Sequence, residues 1–63
     1  MEMWIPELIG KMHLHKVKKK DLADALGCST TWVSAVLNGH RTPKNGEKMF
    51  TAALEQLIQE REE

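Results

Sequence analysis

The sequence predicts an all-α protein, a single compact four-helix domain over residues 1–63, and three observations lead to this prediction. Apolar residues recur every three to four positions along most of the chain, which is the period of a helix with one buried face. Both prolines and three of the four glycines fall where such helices are expected to begin or end. The length suits one small domain, because a chain this short buries only about 60% of its unfolded surface.

The first predicted helix runs from about residue 4 to residue 14. Pro6 falls in its first turn, where a missing N–H costs little, whereas Gly10 weakens its middle by up to about 1 kcal/mol. Val17, in the link that follows, is expected to turn inward. Trp4 is expected to join the core or a dimer interface. The inward stripe consists of apolar residues at helical spacing, namely Ile5, Leu8, Ile9 and Met12.

The second and third predicted helices are short and close together in sequence, over Lys19–Leu26 and about Thr30–Asn38. Their apolar residues share one face each, and these are Leu22, Leu26, Val33, Val36 and Leu37. Ala23 is small enough to let the two helices approach closely. Gly27 follows the last periodic residue, where a left-handed backbone favours glycine.

The turn between these helices and the end of the third also carry local signals. Cys28 supplies a small apolar side chain, expected to be buried, and Ser29 is a good N-cap for the third helix. That helix should stop at Gly39. Pro43 indicates that a fourth helix starts between residues 43 and 47 and continues to about Arg61. Its predicted apolar stripe consists of Met49, Phe50, Ala53, Leu54, Leu57 and Ile58.

The residues 22–39, which read LADALGCSTTWVSAVLNG, resemble the helix-turn-helix of the Cro/repressor-like (XRE) family of phage and bacterial transcription regulators. Trp4–Met12 is similar to the first helix of that family, and Leu37–Pro43 to the loop after its recognition helix. The resemblance covers about residues 4–58. It implies a lambda-repressor-like DNA-binding domain whose motif lies at about residues 19–39. The alternative is an ordinary αα-hairpin in a small bundle.

The resemblance implies a sequence-specific transcriptional regulator, expected to be a repressor, that binds double-stranded operator DNA as a homodimer. The outward positions of the third helix are then expected to contact base edges, and these are Thr30, Thr31, Ser34 and Ala35. None of these short side chains makes the bidentate contacts that arginine or glutamine makes with bases. Direct discrimination between sequences should therefore be modest, with much of the specificity coming from DNA shape.

A second set of residues is expected at the sugar-phosphate backbone. Lys18 and Lys19 open the second helix, where the family often has threonine and glutamine, and where backbone N–H groups and the helix dipole favour an anion. Trp32 has two interpretations, a phosphate contact or, more commonly, packing that stabilises the domain. The full predicted set is Lys18, Lys19, Lys20, Ser29, Trp32, Asn38, His40, Arg41 and Lys44.

Charge is unevenly distributed along a chain whose formal net charge is zero. Residues 11–48 hold eight lysines and arginines against three acidic residues, a net charge of +5. The two ends carry a net charge of −5, from six glutamates and Arg61; the glutamates are Glu2, Glu7, Glu55, Glu60, Glu62 and Glu63. A polarised molecule suits a DNA-binding protein with one binding face, although a solvated lysine-rich loop would also explain the basic segment.

Other classes of function find little support. His13 and His15 do not share a helix face, and no other spacing fits a metal site, so neither a metal nor a cofactor is expected. No nucleophile, base and acid occur together, so the chain is not expected to be an enzyme. Asp21 and Asp24 are interpreted as a solvated helix face. A single cysteine and the absence of a long apolar run or leader indicate a cytoplasmic protein that does not enter membranes.

Two alternative functions remain open at this point. The same motif could bind a regulatory protein partner, as in an anti-repressor or an antitoxin, an alternative that the short side chains of the third helix favour and the Lys18–Lys20 cluster disfavours. A non-specific or architectural DNA-binding protein is the third possibility.

Overall fold

The computed structural model describes residues 3–62 as four α-helices with no strand among them, as the sequence predicts. The helices are α1 (Trp4–Leu14), α2 (Lys19–Leu26), α3 (Thr30–Leu37) and α4 (Gly46–Glu62). α4 packs against α1 and α2, and α2 packs against α3, within dimensions of 34 × 22 × 17 Å. Of the acidic end residues, Glu2 and Glu63 lie outside the described residues, as does the side chain of Glu62.

A single core joins the four helices and confirms most of the predicted inward positions, including Val17. Its buried residues are Ile5, Leu8, Met12, Val17, Leu22, Ala23, Val33, Val36, Leu37, Phe50, Ala53 and Leu54. The inward assignment of Met49 is wrong, because its side chain is 39% exposed. Met49 lies about 100° around α4 from Phe50, which places it at the edge of the buried face. Five further residues predicted to lie inside are only half-buried at the edge of the core, namely Ile9, Leu26, Cys28, Leu57 and Ile58.

The aromatic residues are grouped around Phe50, which is fully buried. The centroid of the Trp4 ring, on α1, lies 5.7 Å from that of the Phe50 ring. The centroid of the Trp32 ring, on α3, lies 5.8 Å from it. Trp4 also lies against Gly46, where an added Cβ would come within 3.2 Å of the indole and 3.0 Å of Pro43. Phe50 therefore connects α1 and α3 to α4.

The first three helices end in the same hydrogen-bonded motif, in which one residue adopts the left-handed conformation. At the end of α1, Val17 N–H donates to the Met12 carbonyl (2.8 Å) and Lys16 N–H donates to the His13 carbonyl (3.3 Å). Gly27 and Gly39 close α2 and α3 in the same way, with φ of 73° and 82°. The third helix thus ends at Leu37, one residue earlier than predicted.

Lys16 is the exception among these three residues, because it carries a side chain at φ 58°. A left-handed backbone costs a non-glycine residue about 1–2 kcal/mol. Glycine avoids this cost, but it loses more conformational entropy on folding, which cancels part of the gain. We expect Lys16→Gly to raise the free energy of unfolding by about 0.5–1 kcal/mol, measured by urea denaturation.

Gly27→Ala is the matched control for this prediction. Beyond Gly27 and its two chain neighbours, no heavy atom lies within 4 Å of the Cβ that alanine would add. The substitution therefore causes no clash, and its cost comes from the left-handed backbone alone. This variant should lose about 1 kcal/mol. If Lys16→Gly destabilised the protein as much as Gly27→Ala does, the left-handed conformation at position 16 would be contradicted.

Arg61, near the end of α4, contacts the turn between α1 and α2. Its Nη1 donates to the carbonyls of His15 (2.8 Å) and Lys16 (2.6 Å), and its Nη2 lies 3.1 Å from Oδ2 of Asp21. The carbonyls at the end of α1 have no partner within that helix, so the guanidinium satisfies groups that water would otherwise solvate. Arg61 therefore fixes the segment that leads into α2.

We expect Arg61→Ala to lower the free energy of unfolding by about 1–2 kcal/mol, a value reduced for solvent screening because the Arg61 side chain is 42% exposed. Arg61→Lys keeps the charge without the two-pronged geometry and should recover only part of the loss. Urea denaturation of both variants checks this, and equal stability of Arg61→Ala and the wild type would contradict the role.

No helix within residues 3–62 is both long and apolar enough to cross a membrane.

Candidate nucleic-acid interface

α3 has one buried face and one accessible face, and Ser29 fixes where the helix begins. The Ser29 hydroxyl accepts a hydrogen bond from the backbone N–H of Trp32 (3.1 Å), which confirms the predicted N-cap. Val33, Val36 and Leu37 point into the core, as the spacing predicts. Thr30 and Thr31 are exposed, and Ser34 and Ala35 are half-buried, so all four predicted base-contacting residues lie on the accessible side.

These four residues line one shallow depression of about 440 Å³ together with residues from the two flanking segments. The depression begins at the first residue of α2 and ends in the loop after α3. Its lining residues are Lys19, Thr30, Thr31, Ser34, Ala35, Asn38 and His40. The fold therefore brings seven of the thirteen predicted site residues to one surface.

Asn38 and Ser34 also contact each other across this surface. The side-chain amide of Asn38 donates to the Ser34 hydroxyl at 3.3 Å. The hydroxyl of Ser34 keeps its own proton for a further acceptor, because this contact uses only a lone pair. Asn38 holds the end of α3 while Ser34 remains able to donate to a base or a phosphate.

The start of α2 differs from expectation in one respect. Asp21 is not simply part of a solvated face: its Oδ2 accepts from the Lys18 backbone N–H (3.0 Å) and pairs with Arg61. A carboxylate thus already satisfies one of the free N–H groups that were expected to favour a phosphate. The side chains of Lys18, Lys19 and Lys20 are exposed, so a phosphate contact here would depend on their ammonium groups.

The other predicted phosphate-contacting residues are more dispersed. Arg41 and Lys44 are exposed in the loop between α3 and α4, outside the depression. Trp32 is half-buried with its ring 5.8 Å from that of Phe50, an arrangement that stabilises the domain and leaves only part of the indole accessible.

Sequence reasoning missed Arg61 and the second role of Asp21. The two residues are 40 positions apart, and no local spacing rule relates positions so distant. The one signal in the sequence is the position of Arg61 in the last turn of the last helix, where a positive charge interacts favourably with the helix dipole. This position does not indicate a contact with the turn after α1.

No protein-family model, curated protein or solved structure matches this chain.

Proposed function

We propose that this protein is a DNA-binding transcriptional regulator of the helix-turn-helix type that places α3 in the major groove. The observation that carries the proposal is the surface that joins the exposed side chains of α3 to Lys19 on one side and to Asn38 and His40 on the other. Recognition of the major groove uses this combination, because side chains that reach base edges are positioned by flanking groups that bind the sugar-phosphate backbone of the DNA.

A left-handed Gly27, a buried Ala23 and the N-cap Ser29 support a helix-turn-helix of the Cro/repressor-like (XRE) family within a lambda-repressor-like domain. The protein then acts as a phage or bacterial repressor in the cytoplasm. Repression needs no more than occupancy of a promoter, which a DNA-binding domain alone can provide.

We propose that the protein binds DNA as a homodimer, and the size of the unit supports this. A domain of 34 × 22 × 17 Å covers about one half-site, and half-sites in this class of protein lie about 34 Å apart. A second copy doubles the number of phosphate and base contacts without a larger fold. Leu57 and Ile58 of α4 are half-buried apolar residues that a partner copy would cover.

Titration of a fluorescent random-sequence duplex at several salt concentrations tests DNA binding in general. With about 4–6 phosphate contacts per subunit, the logarithm of the affinity should fall with the logarithm of salt by about 0.9 per contact. Absence of binding at about 50 mM salt would refute the proposal and favour the protein-binding alternative.

Selection of preferred sites from a random duplex pool then separates a specific regulator from an architectural protein. A specific regulator should enrich a two-fold symmetric site. If the protein binds the pool but enriches no sequence above background, the architectural function replaces the regulatory one.

A further inference from the structure

A second concave surface adjoins the depression on α3. It is a groove of about 870 Å³ at which the second half of α1, the turn into α2 and the end of α3 meet. Its volume lies in the range of about 300–1,000 Å³ that is usual for ligand sites. The groove shares Lys19 and Asn38 with the depression, so the two surfaces are continuous.

The floor of this groove is apolar. Met12, Val17 and Leu37 close it from the core side and are almost fully buried, whereas Ile9 is half-buried and offers apolar surface to an occupant. The aliphatic stems of the surrounding lysines extend that apolar surface toward the rim. Phosphate and sugar gain little from such a floor, so nucleic acid is not the occupant that it fits best.

The ionisable residues at the rim of the groove are all basic. Four lysines and a histidine line the groove, and no lining residue is acidic; the basic residues are His13, Lys16, Lys18, Lys19 and Lys20. Like charges gathered around an apolar floor attract an occupant of opposite charge that also has apolar groups to bury. A peptide segment that combines aspartate or glutamate with large apolar side chains has this chemistry.

We infer that the groove binds a short acidic segment of a partner protein, with an apolar side chain against Ile9 and carboxylates against the lysines. The occupant would neutralise Lys18–Lys20 and cover Lys19 and Asn38, so the segment and DNA exclude each other. This last step rests on the proposed function, whereas binding of the segment does not.

The test begins with selection from a displayed library of random 16-residue peptides on the whole protein. Enriched peptides should be acidic with interspersed large apolar residues. Synthetic fluorescent copies should bind Ile9→Gln about tenfold more weakly and Lys16→Glu about fivefold more weakly than the wild type. Lys48→Glu, the same charge change at an exposed site on α4 outside the groove, should change affinity less than about twofold.

The inference is overturned if no peptide is enriched, if the enriched peptides are not acidic, or if Lys16→Glu affects binding no more than Lys48→Glu does. Because Lys16 is exposed, its variant keeps the test valid even if Ile9→Gln fails to fold. Addition of the selected peptide to a complex with random duplex should displace the DNA. Peptide binding without any DNA binding would refute the proposed function alone, and joint binding of both would refute the exclusion.

Discussion

Phe50→Ala should remove a large share of the free energy of unfolding of this protein. Removal of a buried phenylalanine side chain costs about 3–5 kcal/mol, through lost burial and the cavity that remains. A domain of this size has a total stability of about 3–9 kcal/mol, so the loss is a large share of it. Phe50 is fully buried and contacts the rings of both Trp4 and Trp32, so few neighbours can relax into the space.

Circular dichroism and tryptophan fluorescence measure this effect together, because both tryptophans lie against the residue that is removed. Met49→Ala is the control: its side chain is partly exposed on the same helix, and its loss should cost less than about 1 kcal/mol. Phe50→Leu retains most of the volume and should give a folded, weakened protein. A Phe50→Ala variant as stable as Met49→Ala would contradict the packing described above.

The helices and the core could be predicted from the sequence because both depend on local spacing. The predicted start of α2 and the ends of α1 and α2 agree with the structure to the residue, since Lys19 begins a periodic segment and Gly27 supplies the left-handed residue that ends it. The prediction for Met49 is wrong because this residue lies at the edge of the apolar face of α4. The sequence does not show whether a neighbouring helix covers the edge of such a face.

The contacts that hold the helices together could not be predicted in the same way. Arg61 reaches the end of α1 and Asp21 only because α4 runs back past the first turn of α2, and that path depends on the loop after α3. Lys16 likewise gave no signal, because glycine is the residue that usually marks a left-handed helix end.

For the candidate interface, the sequence predicted the accessible face of α3 but not how it joins its surroundings. The outward positions follow from the buried ones by helical geometry, and the structure places Thr30, Thr31, Ser34 and Ala35 accordingly. That Lys19 and His40 share a surface with them depends on how α2 packs against α3. The basic groove beside α1 depends on three segments and was not foreseen.

Replacement of both Lys18 and Lys19 by alanine should weaken binding to every DNA sequence alike, by about 10–100-fold near 100 mM salt. Two charge-assisted phosphate contacts, each contributing about 1 kcal/mol or somewhat more, account for this range. The slope of log affinity against log salt should become less steep by about 1.8, because each phosphate contact that is removed takes away about 0.9 of released counterion. Both side chains are exposed, and alanine at position 18 keeps the backbone N–H that donates a hydrogen bond to Asp21. The double variant should therefore remain folded.

Two further variants separate this phosphate role from charge in general and from base recognition. Lys11→Ala combined with Lys48→Ala removes the same charge from exposed positions on α1 and α4, outside the candidate interface, and should leave the salt slope almost unchanged. Thr31→Val removes a hydroxyl from the accessible face of α3 and should change the preference among sequences at a constant slope. If the Lys11 and Lys48 pair lowered the slope as much as the Lys18 and Lys19 pair, the DNA would not be held at α2. The basic start of that helix would then be available to a protein partner alone.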